Sequence, residues 1–147
     1  MCLPRLASSG ARKVTRMIVV DTHILIWDAL VPERLSPAAK EAIDAANQAT
    51  GIVVADISLW EIAMLIQKGR IEIQTDCQSF LNLVLQANQI KVRAITPQIA
   101  SLSTQLPWTV NSDPADRLIA ATAIVEGVSL VTADRHLQEA EEVATIW

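Results

Sequence analysis

Six acids in this chain of 147 residues fall where acids can act together. Asp21 directly follows the apolar, β-branched run Ile18–Val20, and Asp56 follows Ile52–Ala55. Glu61 stands one helical turn further on, Asp113 and Asp116 open the helical stretch before Val128, and Asp134 lies just beyond Val128–Val131, after Thr132. Carboxylates brought within a few ångströms of each other repel strongly. A divalent cation is the ordinary way to make such a group tolerable, and oxygen-only ligands suit Mg²⁺ or Mn²⁺. One or two such ions would activate a water for attack on a phosphodiester.

Each acid also has a plainer reading. Asp21, Asp113 and Asp134 are residue types that cap helix N-termini, and Ser58-Leu59-Trp60-Glu61 is a formal capping box. Asp116 lies in a first helical turn, where the dipole favours an acid, and Asp56 reads as a solvated or capping loop residue. The constellation argues more strongly than any member, because four of four elements place an acid at the same sheet edge. Around it, Thr22 can position a water or hydrogen-bond a carboxylate, and His23 can touch substrate or metal or serve only the fold. Arg117 and Arg135 neighbour site acids, so binding phosphate and pairing with those acids both stay open. Trp108, in a loop, can stack on a base or pack; Trp27, Trp60 and Trp147 read as core.

The elements that position these residues alternate between strand and helix. Helices are expected over 23–30, 36–47 (Ser36 capping, Pro37 at the first position), 58–68, 77–88, 97–103, 113–127 and 135–142. The strands are expected at 18–20, 52–55, 92–95, 128–131 and 144–147. The stretch 58–68 is apolar almost all round and should be buried on most sides. Strands alternating with helices imply right-handed crossovers and a mostly parallel sheet covered on both faces. Ligands of such sheets bind outside the carboxyl ends of the strands.

Composition sets the limits. Hydrophobic residues make up 51% and charged residues 19%, which excludes a disordered chain. No apolar run reaches the roughly 18 residues of a membrane helix, so a soluble globular domain is expected. Cys2 and Cys77 make neither a disulfide framework nor a metal-binding pair, which fits a reducing cytoplasm. The net charge of −4 divides into +4 over residues 1–16 (Arg5, Arg12, Lys13, Arg16, no acid) and −8 over 17–147, from the other 8 bases and all 16 acids. Segment 1–16 reads as a flexible basic tail, with Met17 an alternative start of translation, ahead of one domain spanning 17–147. A domain that acidic does not grip a phosphate backbone by charge alone.

Four motifs now carry a resemblance. Val19-Val20-Asp21-Thr22-His23 with Trp27, Ser58-Leu59-Trp60-Glu61-Ile62-Ala63, Asp113-Pro114-Ala115-Asp116-Arg117-Leu118-Ile119-Ala120 and Leu130-Val131-Thr132-Ala133-Asp134 resemble the PIN-domain ribonucleases. The nearest likeness is to the toxin half of VapBC-type toxin–antitoxin pairs. The resemblance implies an α/β/α sandwich of three layers around a mostly parallel sheet, and RNA cleavage dependent on Mg²⁺ or Mn²⁺. It implies that Asp21, Glu61 and Asp116 are the first three site acids and Asp134 a later, less constant metal ligand. Asp113 would support them from behind, with Thr22, His23, Thr132 and Arg117 as further second-layer or substrate contacts. The subgroup with this third motif often carries His-Arg before it and Phe within it; here those positions are Asn111, Ser112 and Ala115. The resemblance further implies a cognate antitoxin that blocks the site, and a homodimer.

Two rival classes stand beside this one. A phosphatase built around an aspartate after the first strand wants a second acid two residues later, where His23 stands, and a phosphoacceptor receiver wants a late lysine, whereas none follows Lys91. A non-catalytic binding protein on the same fold would have no need of intact acids.

Overall fold

Five short strands form the centre of the molecule, and the three inner ones are buried on both faces. The structure, a computed structural model, describes residues 17–147, so the tail expected over 1–16 lies outside the described residues. The strands are β1 (Ile18–Val20), β2 (Ile52–Ala55), β3 (Ile90–Arg93), β4 (Ser129–Val131) and β5 (Thr145–Ile146). They pair in the order β3-β2-β1-β4-β5, and every pairing is parallel. The helices are α1 (Thr22–Leu30), α2 (Pro37–Asn47), α3 (Asp56–Gln67), α4 (Cys77–Ala87), α5 (Pro97–Gln105), α6 (Pro114–Glu126) and α7 (Arg135–Glu139), with a short 3-10 turn at Pro32–Arg34.

Strand alternation divides the core in two. Ile18, Val20, Ile52, Val54 and Val131 meet Ile24, Leu25, Ala39, Ile43, Ile62, Phe80 and Val84 of α1–α4 on one face. Val19, Val53, Ala55 and Leu130 meet Ile119, Ala120 and Ala123 of α6 and Leu137 of α7 on the other. Burial of both faces is why the strands lack polar alternation. The expected three-layer α/β/α sandwich is therefore present, with a sheet that is wholly parallel.

Local chemistry sets the helix ends. Ser36 and Thr96 cap α2 and α5, each ahead of a first-position proline, and Gly127 ends α6 in the left-handed conformation at φ 71°. Gly51 turns the chain into β2 at φ 96°, and a Cβ there would stand 2.7 Å from the Gln89 carbonyl oxygen. That carbonyl also accepts the Ile52 N–H at 2.7 Å, which locks the approach of β3.

Several expectations change. The third strand is Ile90–Arg93, not Val92–Ile95, because its register against β2 runs from Ile52↔Ile90 to Ala55↔Arg93. An edge strand tolerates Lys91 and Arg93, so the more apolar run was no guide to its bounds. Helix α3 begins at Asp56, two residues before Ser58, and its cap residue Ala55 makes no side-chain hydrogen bond. Ser58-x-x-Glu61 is thus inside the helix and is not a capping box. Only Ser58 and Ile62 of α3 are buried, and Trp60 is 59% exposed. The apolar helix is therefore half-buried along most of its length, with Ile57 packed on one core and Leu65 and Ile66 on the other, rather than buried on most sides. Trp147 is also partly exposed, resting on Trp27 with ring centroids 5.9 Å apart.

Candidate active site

The chain leaves β1 toward β2 and β3 on one side, while β4 and β5 lie on the other, so the carboxyl ends of β1 and β4 form the switch point of the sheet. Asp21 sits there. Its N–H continues the ladder to the Val131 carbonyl at 3.2 Å, and its Oδ1 accepts the Ile24 N–H at 2.9 Å. Its Oδ2 accepts the Thr132 hydroxyl. Asp21 is therefore a helix cap and a site acid at once. Burial pushes its carboxyl up from the ordinary range, against the Thr132 and Ile24 hydrogen bonds.

Helix α3 carries Glu61 to the same edge. The Thr22 hydroxyl lies against Glu61 Oε1 and, at 2.9 Å, against the buried Ser58 Oγ. Burial raises the Glu61 carboxyl, opposed by the Thr22 hydrogen bond. Asp116, in the first turn of α6, has its pKa pushed up to about 7, first by burial and then by the charges of Asp113, Glu61, Asp21 and Asp134. The five acids are thus within electrostatic reach of one another.

Asn111 joins two of them. Its Nδ2 donates to Asp116 Oδ2 at 3.0 Å and to Asp134 Oδ2 at 3.2 Å, while its Oδ1 accepts the Asp113 N–H at 2.8 Å. Asp134 Oδ1 accepts the Leu137 N–H at 3.1 Å and caps α7, and Asp134 N–H donates to Thr132 Oγ1 at 3.1 Å. Asp113 caps α6 through Ala115 N–H at 2.8 Å, and its exposed position places it at the rim. The capping readings of Asp21, Asp113 and Asp134 and their place at the site are compatible, since a cap at a strand's carboxyl end is already at the edge.

The other candidates divide. Asp56 turns away to accept the Ile95 N–H at 3.2 Å. His23 is exposed and tilts against Trp27, with ring centroids 6.1 Å apart, yet it stays within electrostatic reach of Asp21 and Glu61. Arg135 is exposed. Arg117 neither pairs with an acid nor faces solvent: it is 4% exposed and donates to the carbonyls of Ser103, Leu106, Pro107 and Asn111. Its guanidinium carbon lies 4.3 Å from the ring centroid of Trp108, which is itself 72% exposed. Arg117 holds the 103–111 loop, and with it Asn111, rather than offering its charge to phosphate. Asn111, which the sequence marked only as a departure from the usual third motif, and Ser58, marked only as a capping and motif residue, are the participants whose contacts the sequence did not indicate; an Asn two residues before an acid that opens a helix is an Asx-turn signal.

Among the described residues, the ion pairs are Arg93–Glu126 at 2.7 Å and the longer His136–Asp134 contact at 3.9 Å. Asp21, Glu61 and Asp116 receive neutral donors only, so their charge has no arginine or lysine to balance it. That donor set, all carboxylate oxygen, fits a hard divalent cation. The acids stand apart, however: among the described residues no three His, Cys, Asp or Glu side chains form a ready-made coordination shell.

A parallel sheet with acids gathered at its switch point defines the class, and the chain belongs to the PIN domain family, whose model matches residues 18–143. It is 38% identical over 132 residues to Ribonuclease VapC22 of Mycobacterium tuberculosis, a match covering 88% of this chain and 98% of that protein. The fold is similar to that in the crystal structure of VapBC2 from Rickettsia felis bound to a promoter DNA fragment, with a TM-score of 0.67 at 17% identity over 88% of this chain and 96% of that one. It is also similar to FitAcB from Neisseria gonorrhoeae, with a TM-score of 0.59 at 18% identity over 88% and 96% of the two chains. Among the described residues no helix is long and apolar enough to cross a membrane.

Proposed function

We propose that this protein is a divalent-metal-dependent endoribonuclease and the toxin component of a toxin–antitoxin pair. One observation carries the reading: Asp21, Glu61, Asp116 and Asp134 share one sheet edge in a PIN domain, with Asp116 raised to about 7 by burial and by the neighbouring acids. The 38% identity to a VapC ribonuclease supports the activity, and the fold shared with VapBC and FitAB assemblies supports a cognate antitoxin partner. The same family resemblance supports a homodimer and a cytoplasmic setting.

Asp21, Glu61, Asp116 and Asp134 would hold the ion. Bound there, Mg²⁺ or Mn²⁺ supplies positive charge opposite the phosphate and lowers the pKa of a water. The chain's own part is orientation. Thr132 and the Ile24 N–H fix both oxygens of Asp21, and Thr22 fixes one oxygen of Glu61, which leaves Glu61 Oε2 free. With its pKa at about 7, Asp116 would take up an ion in competition with protonation near neutral pH. Held there, the ion would offset the charge of these acids on a domain otherwise too acidic to attract RNA.

The test is cleavage of total RNA with Mg²⁺, with Mn²⁺ and with EDTA, by wild type and Asp116→Asn. Cleavage by wild type with metal alone is expected. Equal cleavage in EDTA, or by Asp116→Asn freed of contaminating nuclease, overturns the reading.

A further inference from the structure

Two of the site's three side-chain hydrogen-bond keys are hydroxyls within the strand–helix motifs, and the third is not. Asp21 is keyed by Thr132, Glu61 by Thr22, and Asp116 together with Asp134 by the amide of Asn111 alone among side chains. We propose that Asn111 is a positioning residue that sets Asp116 and Asp134 for a divalent cation. The inference rests on the metal-dependent reading above.

The orientation of the amide is determined by its partners. The Asp113 backbone N–H can only donate, so the group facing it at 2.8 Å is the oxygen. Nδ2 therefore faces the acids, and its two hydrogens serve two different carboxylates at 3.0 and 3.2 Å. A single planar donor shared in this way fixes Oδ2 of Asp116 and Oδ2 of Asp134 relative to one amide nitrogen, although Asp116 is on α6 and Asp134 precedes α7. The Leu137 N–H fixes the other oxygen of Asp134. Asp116 is left with Oδ1 unconstrained by any such side chain.

The amide is itself anchored. The Asn111 carbonyl accepts Arg117 Nη1 at 2.9 Å, and the same nitrogen reaches the Pro107 carbonyl at 3.2 Å. Trp108 lies over the guanidinium. The backbone beneath Asn111 is thus held by a buried arginine whatever side chain stands at 111, which makes the side chain separable from the loop. Partners that hold ligands from behind set metal affinity in this manner, with losses of about 10–100-fold when they are removed.

The experiment compares full-length wild type, Asn111→Ser and Asp116→Asn by calorimetric titration with Mn²⁺ in the absence of RNA, alongside metal-free unfolding temperature. Serine still accepts the Asp113 N–H in a local turn but cannot reach the two acids. Expected for Asn111→Ser is a Mn²⁺ dissociation constant raised about tenfold or more, a metal-free unfolding temperature within a few degrees of wild type, and RNA cleavage restored to within a few-fold at saturating Mn²⁺. A residue that only shapes the loop would lower the unfolding temperature and leave the dissociation constant alone. A constant within twofold of wild type, or cleavage still lost at saturating Mn²⁺, overturns the proposal. Asn111→Thr serves the same comparison should Asn111→Ser unfold. A wild type that takes up no Mn²⁺ removes the metal reading and this inference with it, whereas wild-type uptake unchanged in Asn111→Ser removes this inference only.

Discussion

Thr132 and Asp21 lie 111 positions apart in the chain, and the buried hydroxyl of the first donates to Oδ2 of the second across the β1–β4 pairing. The same hydroxyl oxygen accepts the Asp134 N–H at 3.1 Å. One threonine therefore ties the acid after β1 to the acid after β4. A cross-strand bond of this kind is possible because parallel neighbours end level with one another, Val20 against Val131.

Thr132→Val keeps the shape and removes the hydroxyl. Asp21 Oδ2 then loses its donor in a buried position, and the expected cost is about 1–3 kcal/mol in urea unfolding. Thr132→Ser should recover most of it. The Thr132 bond also lowers the Asp21 pKa against burial, so in Thr132→Val the carboxyl rises further and Mn²⁺ binding weakens more steeply as pH falls.

Asp21→Asn and Asp116→Asn should each reduce RNA cleavage by about a thousandfold or more, the scale of losing several kcal/mol of charge stabilisation. The fold should survive, because Asn keeps the oxygen that caps α1 in the first case and relieves a crowded carboxylate in the second. Circular dichroism and gel cleavage assays on the same preparations check both halves of this expectation.

The raised pKa of Asp116 makes a stability prediction with a definite sign. Folding favours its protonated form, so the contribution is fully present below the ordinary value of 3.8 and is lost as pH rises through about 7. Asp21 and Glu61, raised by burial, act in the same direction. Metal-free protein should therefore melt at a lower temperature at pH 8 than at pH 5.5, each 1 kcal/mol being worth about 3 °C at this size. Saturating Mn²⁺ should reverse the order, and Asp116→Asn should flatten the metal-free profile. Thermal scans across pH with and without EDTA measure it.

The reach of sequence reasoning at this site follows from what kind of signal each residue carries. Asp21 and Asp134 were legible because a strand's carboxyl end is marked by the apolar run before it, and the sheet's rule then places the acid. Asp56 carries the same mark and is not at the site, since a loop amide at Ile95 captures its carboxylate. Glu61 was found by its spacing, although the capping box that seemed to explain it does not exist: α3 starts at Asp56. Trp60 was misplaced because an apolar pattern records what a helix could bury and says nothing of whether another element arrives to cover it. Asn111 and the buried clamp of Arg117 depend on a loop folding back over α6, a contact between residues 6–14 positions apart that no periodicity encodes.

Arg117 gives the last prediction, because its position beside Asp116 invites the wrong one. If its charge served phosphate, Arg117→Lys would keep much of the activity and all of the stability. The side chain instead spends its donors on the carbonyls of Ser103, Leu106, Pro107 and Asn111 at 4% exposure. A lysine has three donors on a single nitrogen and cannot span a fork of that width. Carbonyls left without partners in a buried loop cost about 1–3 kcal/mol each, so Arg117→Lys should lower stability by about 2–4 kcal/mol and open the 103–111 loop to protease. Trp108→Ala, which removes only an exposed ring from above the guanidinium, should cost under about 1 kcal/mol. Limited proteolysis and urea unfolding of the two variants decide it: Arg117→Lys as stable as wild type would return the arginine to the phosphate.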